Sequence, residues 1–164
     1  MASLQRILTA PTRGASMVDA GAIEAIPGRG LAGDRYWVGT GTFSGRPGVF
    51  AGARELSMID VAAIALCNER LALDAGAQLD AADLRRNLVV AGLELPALRQ
   101  RLIRVGPVTL EIVSSCPPCG YLSRLLGVDA RQALRGIGGV RARIVDAGWL
   151  QVGDAIIEVG GGQR

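Results

Sequence analysis

Short apolar runs alternate with glycine-rich turns along most of this chain. That pattern predicts strands at residues 5–10, 22–26, 88–90, 101–105, 108–114, 141–146 and 155–159. The clearest is Val140-Arg141-Ala142-Arg143-Ile144-Val145, where apolar and charged positions alternate as on a half-buried sheet. Gly106-Pro107 predicts a tight hairpin between two of these runs, and Asp146-Ala147-Gly148 and Val152-Gly153-Asp154 predict two further turns. Helices are fewer. Ser57 or Asp60 can cap one that runs to about Leu71, with Ile59, Ala63, Leu66 and Arg70 on successive turns. A second follows Pro117-Pro118 with Leu122, Leu125 and Leu126 on one face, and Asp129 can cap a short third through Leu134. Residues 27–53 are glycine-rich and irregular, and a loop of that length is usually functional or mobile. These elements predict one domain over residues 1–164, mainly β with a few helices, built as a barrel or sandwich rather than a doubly wound sheet.

Composition narrows the chemistry more than the fold. With aromatic residues at 4% and hydrophobic residues at 49%, the core must be built from Leu, Val, Ile and Ala. No export signal or bilayer-length apolar run is visible, because residues 58–73 are broken by Asp60 and Asn68-Glu69-Arg70. A cytoplasmic protein with no membrane partner is expected, and three cysteines fit free thiols in a reducing compartment. All 18 basic residues are arginine, and there is no histidine. Cys–His and Ser–His–Asp nucleophile systems are thereby excluded. So is the lysine Schiff base, and with it covalently held pyridoxal phosphate. A net charge of +3, with the arginines spread along the chain, gives no reason to expect nucleic acid.

Three local patterns carry possible chemistry. Gly28-Arg29-Gly30-Leu31-Ala32-Gly33 matches GxGxxG, but no amphipathic helix follows, so a backbone nest facing an anion explains it better than a dinucleotide fold. Cys116-Pro117-Pro118-Cys119 lies between a predicted strand and a predicted helix, which puts Cys119 near a helix N-terminus and favours its thiolate over that of Cys116. Four readings of the pair stand: a zinc site, short of ligands with only Cys67 to add; a redox dithiol; a single thiolate that ligates a soft metal or carries sulfur; and two inert buried cysteines. Arg85-Arg86-Asn87 reads either as a solvated pair of charges at a strand start or as a solvated Arg85 beside an Arg86 forked onto a phosphate, with Asn87 adding amide hydrogen bonds. Arg54-Glu55 reads as a surface pair, unless Glu55 orients something buried.

The order and spacing of these pieces matter more than any one of them. Gly28-x-Gly30-Leu31-x-Gly33-Asp34-Arg35-Tyr36, Arg54-Glu55-Leu56-Ser57-Met58-Ile59, Arg85-Arg86-Asn87-Leu88-Val89-Val90-x-Gly92, Cys116-x-Pro118-Cys119-x-x-Leu122, Gly138-Gly139-Val140-Arg141-Ala142 and Val152-Gly153-Asp154 resemble the MOSC domain, over about residues 20–159. The family takes its name from the C-terminal domain of molybdenum cofactor sulfurase. The chain is similar to its small, stand-alone members. The resemblance implies a mainly antiparallel β-barrel that binds molybdenum cofactor (molybdopterin) and acts in molybdenum-dependent reduction or sulfur transfer. A non-catalytic carrier that delivers cofactor or sulfur is the alternative. It also implies Cys119 as metal ligand or sulfur-carrying thiolate, the polar positions Asp34, Arg35, Glu55, Arg86, Asn87 and Arg141 around the cofactor, and a redox or sulfur-transfer protein partner. Small members often carry a histidine and an acid after the cysteine, where this chain has Tyr121 and Ser123.

Overall fold

The computed structural model describes residues 1–37, 55–73 and 75–161. Its strands are β1 (Ser3–Thr9), β2 (Val18–Ala20), β3 (Ala22–Ile26), β4 (Gly30–Leu31), β5 (Leu56–Asp60), β6 (Leu88–Ala91), β7 (Arg101–Val105), β8 (Val108–Ser115), β9 (Val140–Asp146), β10 (Gly148–Gln151) and β11 (Ile156–Gly161). The helices are α1 (Val61–Leu71), α2 (Gly120–Leu126) and α3 (Ala130–Ala133), with single 3-10 turns at Ala75–Ala77 and Leu95–Leu98. The fold is mainly β, as the sequence pattern predicts.

Eight strands form one sheet in the order β11-β7-β8-β9-β5-β6-β1-β2, and β10-β3-β4 form a second. All pairs are antiparallel except β5 with β6. The ladders run from β11 to β2 without closing on themselves. At one end, however, β1 is stitched to the approach to β11: Ser3 and Ala155 form an isolated bridge, and Leu4 N–H donates to the Asp154 carbonyl at 2.9 Å.

Two hydrophobic clusters explain why some strands alternate and others do not. In β7, β8 and β9, Ile103, Val105, Leu110, Ile112, Ala142 and Ile144 point into one cluster, while Arg104 and Arg143 face out. In β1, β5 and β6, neighbouring residues enter different clusters. Leu88 and Val90 join the first, whereas Val89 joins a second cluster with Leu8 and Ile59. That second cluster sits under the helices, with Cys67 of α1, Leu122 of α2 and Ala130 of α3. Strands covered on both faces read as continuous apolar runs.

This double burial corrects part of the sequence reading. Asp60, not Ser57, caps α1, its carboxylate accepting from Ala62 N–H at 2.7 Å. Ser57 and Ile59 lie in β5, held between β6 and β9 by the pairs Met58↔Leu88 and Leu56↔Ala142. The hairpin at Gly106-Pro107 forms as expected, with Val105 opposite Val108. Gly106 has φ +54, and a Cβ there would meet the Asp154 carboxylate at 2.5 Å. In α2, Leu122 is buried but Leu125 is exposed, so the apolar face is narrower than the three leucines suggest. Residues 38–54, which hold most of the glycine-rich loop and Arg54, lie outside the described residues.

Candidate functional site

Strand β8 delivers the chain into Cys116-Pro117-Pro118-Cys119, and α2 begins at the next residue. Two adjacent prolines lack N–H donors and fix φ near −65°, so the segment cannot extend the β8 ladder. Cys119 occupies the N-cap of α2 in extended conformation, and its side chain makes no capping hydrogen bond. It is exposed, whereas Cys116 and Cys67 are buried; all three are free thiols. Burial pushes the Cys67 thiol up, only partly offset by Arg70.

Cys119 lines a cleft of about 430 Å3, which is within the ~300–1,000 Å3 range of small-molecule sites. Five arginines share the lining: Arg35, Arg85, Arg86, Arg124 and Arg141. No aspartate or glutamate joins them among the described residues. Leu56, Leu84 and Leu122 supply apolar wall, and Tyr36 and Tyr121 add rings. A second cavity of about 340 Å3 shares Cys116 and Pro117 with the first and is bordered by Gly138, Gly139, Arg131 and Arg135.

The polar residues singled out by the sequence divide between lining and frame. Asp34 is fully buried and does not line the cleft; its carboxylate accepts from Ala10 N–H at 3.0 Å and faces Arg35 at 3.4 Å. Arg35 and Arg141 line the cleft directly. Glu55 lies outside it, its two oxygens accepting from Gly28 N–H at 2.9 Å and Ile144 N–H at 2.6 Å. Burial pushes the Glu55 carboxyl up, and those two amides with Arg143 partly offset the rise. Asn87 touches the cleft, but its side chain is committed: Nδ2 donates to the Leu8 carbonyl at 3.1 Å, and Oδ1 accepts from Ser57 N–H at 3.1 Å.

Arg86 is buried and points its fork at main chain. Nε donates to Gly138 at 2.8 Å, Nη1 to Leu84 at 3.0 Å and Nη2 to Cys116 at 3.3 Å. Arg85, expected to be solvated, is instead partly buried in the cleft lining, and its backbone has a positive φ of +58°. Sequence reading also missed Arg124, Tyr36, Ser57 and Tyr121. Arg124 and Tyr121 sit within five residues of Cys119 on the helix that the Cys-Pro-Pro-Cys pattern announces, and that proximity was the available signal.

A model of the MOSC domain matches residues 32–157. The chain belongs to the MOSC domain family. No curated protein matches it. Among solved structures it is similar to the YuaD protein from Bacillus subtilis, with a TM-score of 0.78 and 16% identity over 95% of this chain and 94% of that one. It is also similar to YiiM from Escherichia coli, with a TM-score of 0.69 and 16% identity over 99% and 72% of the two chains. YiiM from Geobacillus stearothermophilus gives a TM-score of 0.71 at 13% identity over 97% and 75%. At these identities the likeness establishes the MOSC chain's fold alone.

The donor set suits one kind of metal group. Among the described residues no three His, Cys, Asp or Glu side chains gather to hold an ion. The described residues therefore supply no site for a bare metal ion. A metal that arrives with its own ligands and an anionic tail needs only a soft thiolate and a cationic wall, and Cys119 and the arginines are those groups. No helix among the described residues is long and apolar enough to cross a membrane.

Proposed function

We propose that this chain is a molybdenum-cofactor-binding MOSC protein that acts in molybdenum-dependent reduction or sulfur transfer through Cys119. The observation that carries the reading is the exposed thiol of Cys119 on the wall of an arginine-lined cleft with no acid among its described lining residues. When bound, the cofactor supplies two-electron redox chemistry at a soft metal. The protein's part is to offer a sulfur donor from Cys119, to hold an anionic tail with guanidinium groups, and to cover the apolar faces with Leu56, Leu84 and Leu122. Arg35, Arg86, Asn87 and Arg141 fall to the cofactor's surroundings in this reading, while Asp34 ties down Ala10 and Glu55 ties Gly28 to Ile144 outside the cleft. Without histidine or lysine there is no imidazole or amine to relay a proton, which suits chemistry carried by the cofactor.

The stitching of β1 to the approach to β11 supports reading the large sheet as the wall of a rolled barrel in a single domain over residues 1–164. A cytoplasmic setting and a redox or sulfur-transfer protein as partner complete the proposal. Turnover is the test. Protein made in a host that synthesises the cofactor is expected to oxidise reduced viologen in the presence of an N-hydroxylated compound, or to release thiocyanate from a Cys119 persulfide on treatment with cyanide. Cofactor binding without either reaction would replace the reading with the carrier role.

A further inference from the structure

Arg85 and Arg86 are neighbours in sequence and meet the cleft in opposite ways. Arg86 directs all three guanidinium nitrogens at carbonyls of its own chain, those of Gly138, Leu84 and Cys116. Its planar fork has five N–H donors in fixed directions, so three such bonds set its orientation. Cys116 is held from the other side as well, its N–H donating to Gly139 at 2.9 Å. Gly138 packs against the same peptide: a Cβ there would lie 2.6 Å from the Cys116 carbonyl oxygen and 3.3 Å from Pro118. Beyond Cys116 come two residues with proline-fixed φ. Fixing the Cys116 carbonyl therefore restricts where the chain delivers the thiol of Cys119.

Among the described residues Arg85 gives one hydrogen bond to the protein, from Nη1 to the Ala15 carbonyl at 2.7 Å. Its φ of +58° is a conformation few residues other than glycine adopt, and such strain collects at ligand-binding sites. Burial first, and the neighbouring charge of Arg35 second, disfavour its cationic form, and Tyr121, Asp34 and Tyr36 only partly offset them. Arg35 has Asp34 beside it at 3.4 Å, whereas Arg85 forms no salt bridge among the described residues and feels Asp34 only at longer range. A bound anion would relieve that arrangement.

We infer that the doublet divides the work: Arg86 is a positioning residue for the Cys116–Cys119 segment, and Arg85 is the guanidinium offered to an oxyanion, phosphate or carboxylate, that enters the cleft. The inference rests on the cleft being the ligand site proposed above, but not on that ligand containing molybdenum.

Alkylation of Cys119 in the reduced full-length protein tests both halves, with mass spectrometry separating it from Cys116 and Cys67. Iodoacetamide is neutral and iodoacetate carries a carboxylate, so the ratio of their rates reads the cation at the thiol. Arg85→Gln is expected to lower the iodoacetate-to-iodoacetamide ratio about three- to tenfold, with Arg85→Lys recovering part of it. Inorganic pyrophosphate is expected to protect Cys119 in the parent, at a concentration that rises about ten- to a hundredfold in Arg85→Gln. Arg86→Lys keeps the charge and loses the fork; it is expected to change the iodoacetamide rate about threefold or more, in protein that circular dichroism shows folded, while the ratio stays at the parental value. The inference is overturned if Arg85→Gln keeps both the parental ratio and the parental pyrophosphate protection. It is overturned equally if Arg86→Lys loses protection with neutral labelling unchanged. Protein that lacks molybdenum yet shows the expected ratios would sink the cofactor reading and leave this one standing.

Discussion

Replacing Gly138 with alanine adds one carbon where the backbone of the cysteine segment leaves no room. The new Cβ would lie 2.6 Å from the Cys116 carbonyl oxygen, against 3.4–4 Å for an ordinary contact, so the two segments must part by about 0.8 Å. That oxygen also accepts the Arg86 Nη2 hydrogen bond, already 3.3 Å long. Overpacking of this kind costs ~1–3 kcal/mol, and loss of a hydrogen bond to a charged group ~1.5–3 kcal/mol. The two share one displacement and are not additive, so the expected loss is about 2–4 kcal/mol. With a urea m-value of ~2 kcal/mol/M, the unfolding midpoint should fall by about 1–2 M. Reversible urea denaturation followed by circular dichroism measures it, and iodoacetamide labelling of Cys119 below the transition should change as well. A Gly138→Ala protein within ~0.5 kcal/mol of the parent, with Cys119 labelled at the parental rate, would refute the claim that these contacts position the thiol.

The remaining expectations concern charge and burial. Arg6 bonds Asp19 and Asp80 at 2.7 Å each and holds both carboxyls below their usual range. That stabilisation is present above the ordinary carboxylate range and lost as pH falls through the lowered values. Because the pairs are half in solvent, Arg6→Ala should cost only ~1 kcal/mol at neutral pH, and thermal melts should show the difference shrinking in 1 M salt and near pH 2. Glu55 runs the other way. Its raised carboxyl favours the protonated folded state, so this contribution is present at low pH and declines as pH rises through the raised value. The stability of Glu55→Gln relative to the parent should therefore increase from about pH 4 to pH 7, and a flat difference would contradict the assignment. Cys67 is fully buried with its thiol pushed up, so maleimide should reach it in native protein at least ~100-fold more slowly than Cys119, and readily only in urea.

What could be read from the chain follows a physical line. Local rules found the Gly106-Pro107 hairpin, the alternating β9 and the Asp129 cap of α3, since each is decided within a few residues. They failed at β5, where Leu56-Ser57-Met58-Ile59 precedes a true helix and has no local mark of a strand. Its pairing with β6 and β9 is made with residues about 30 and 85 positions away, and tertiary pairing overrides propensity there. The short β10, from Gly148 to Gln151, is likewise set by its partner β3. In the site, strand, proline pair and helix were enough to bring Cys119 to a cleft wall. The roles of Arg85 and Arg86 were not legible, because adjacent guanidiniums differ only in which carbonyls the folded chain brings to them.

The most direct test of the account is the molybdenum and pterin content of protein purified from a host that makes the cofactor, measured beside a Cys119→Ser variant. The expected result is about one molybdenum and one pterin per folded chain in the parent, with molybdenum markedly depleted in Cys119→Ser. A parent protein free of both, or a Cys119→Ser protein as fully loaded as the parent, would contradict the assignment of Cys119 as the thiolate that meets the metal.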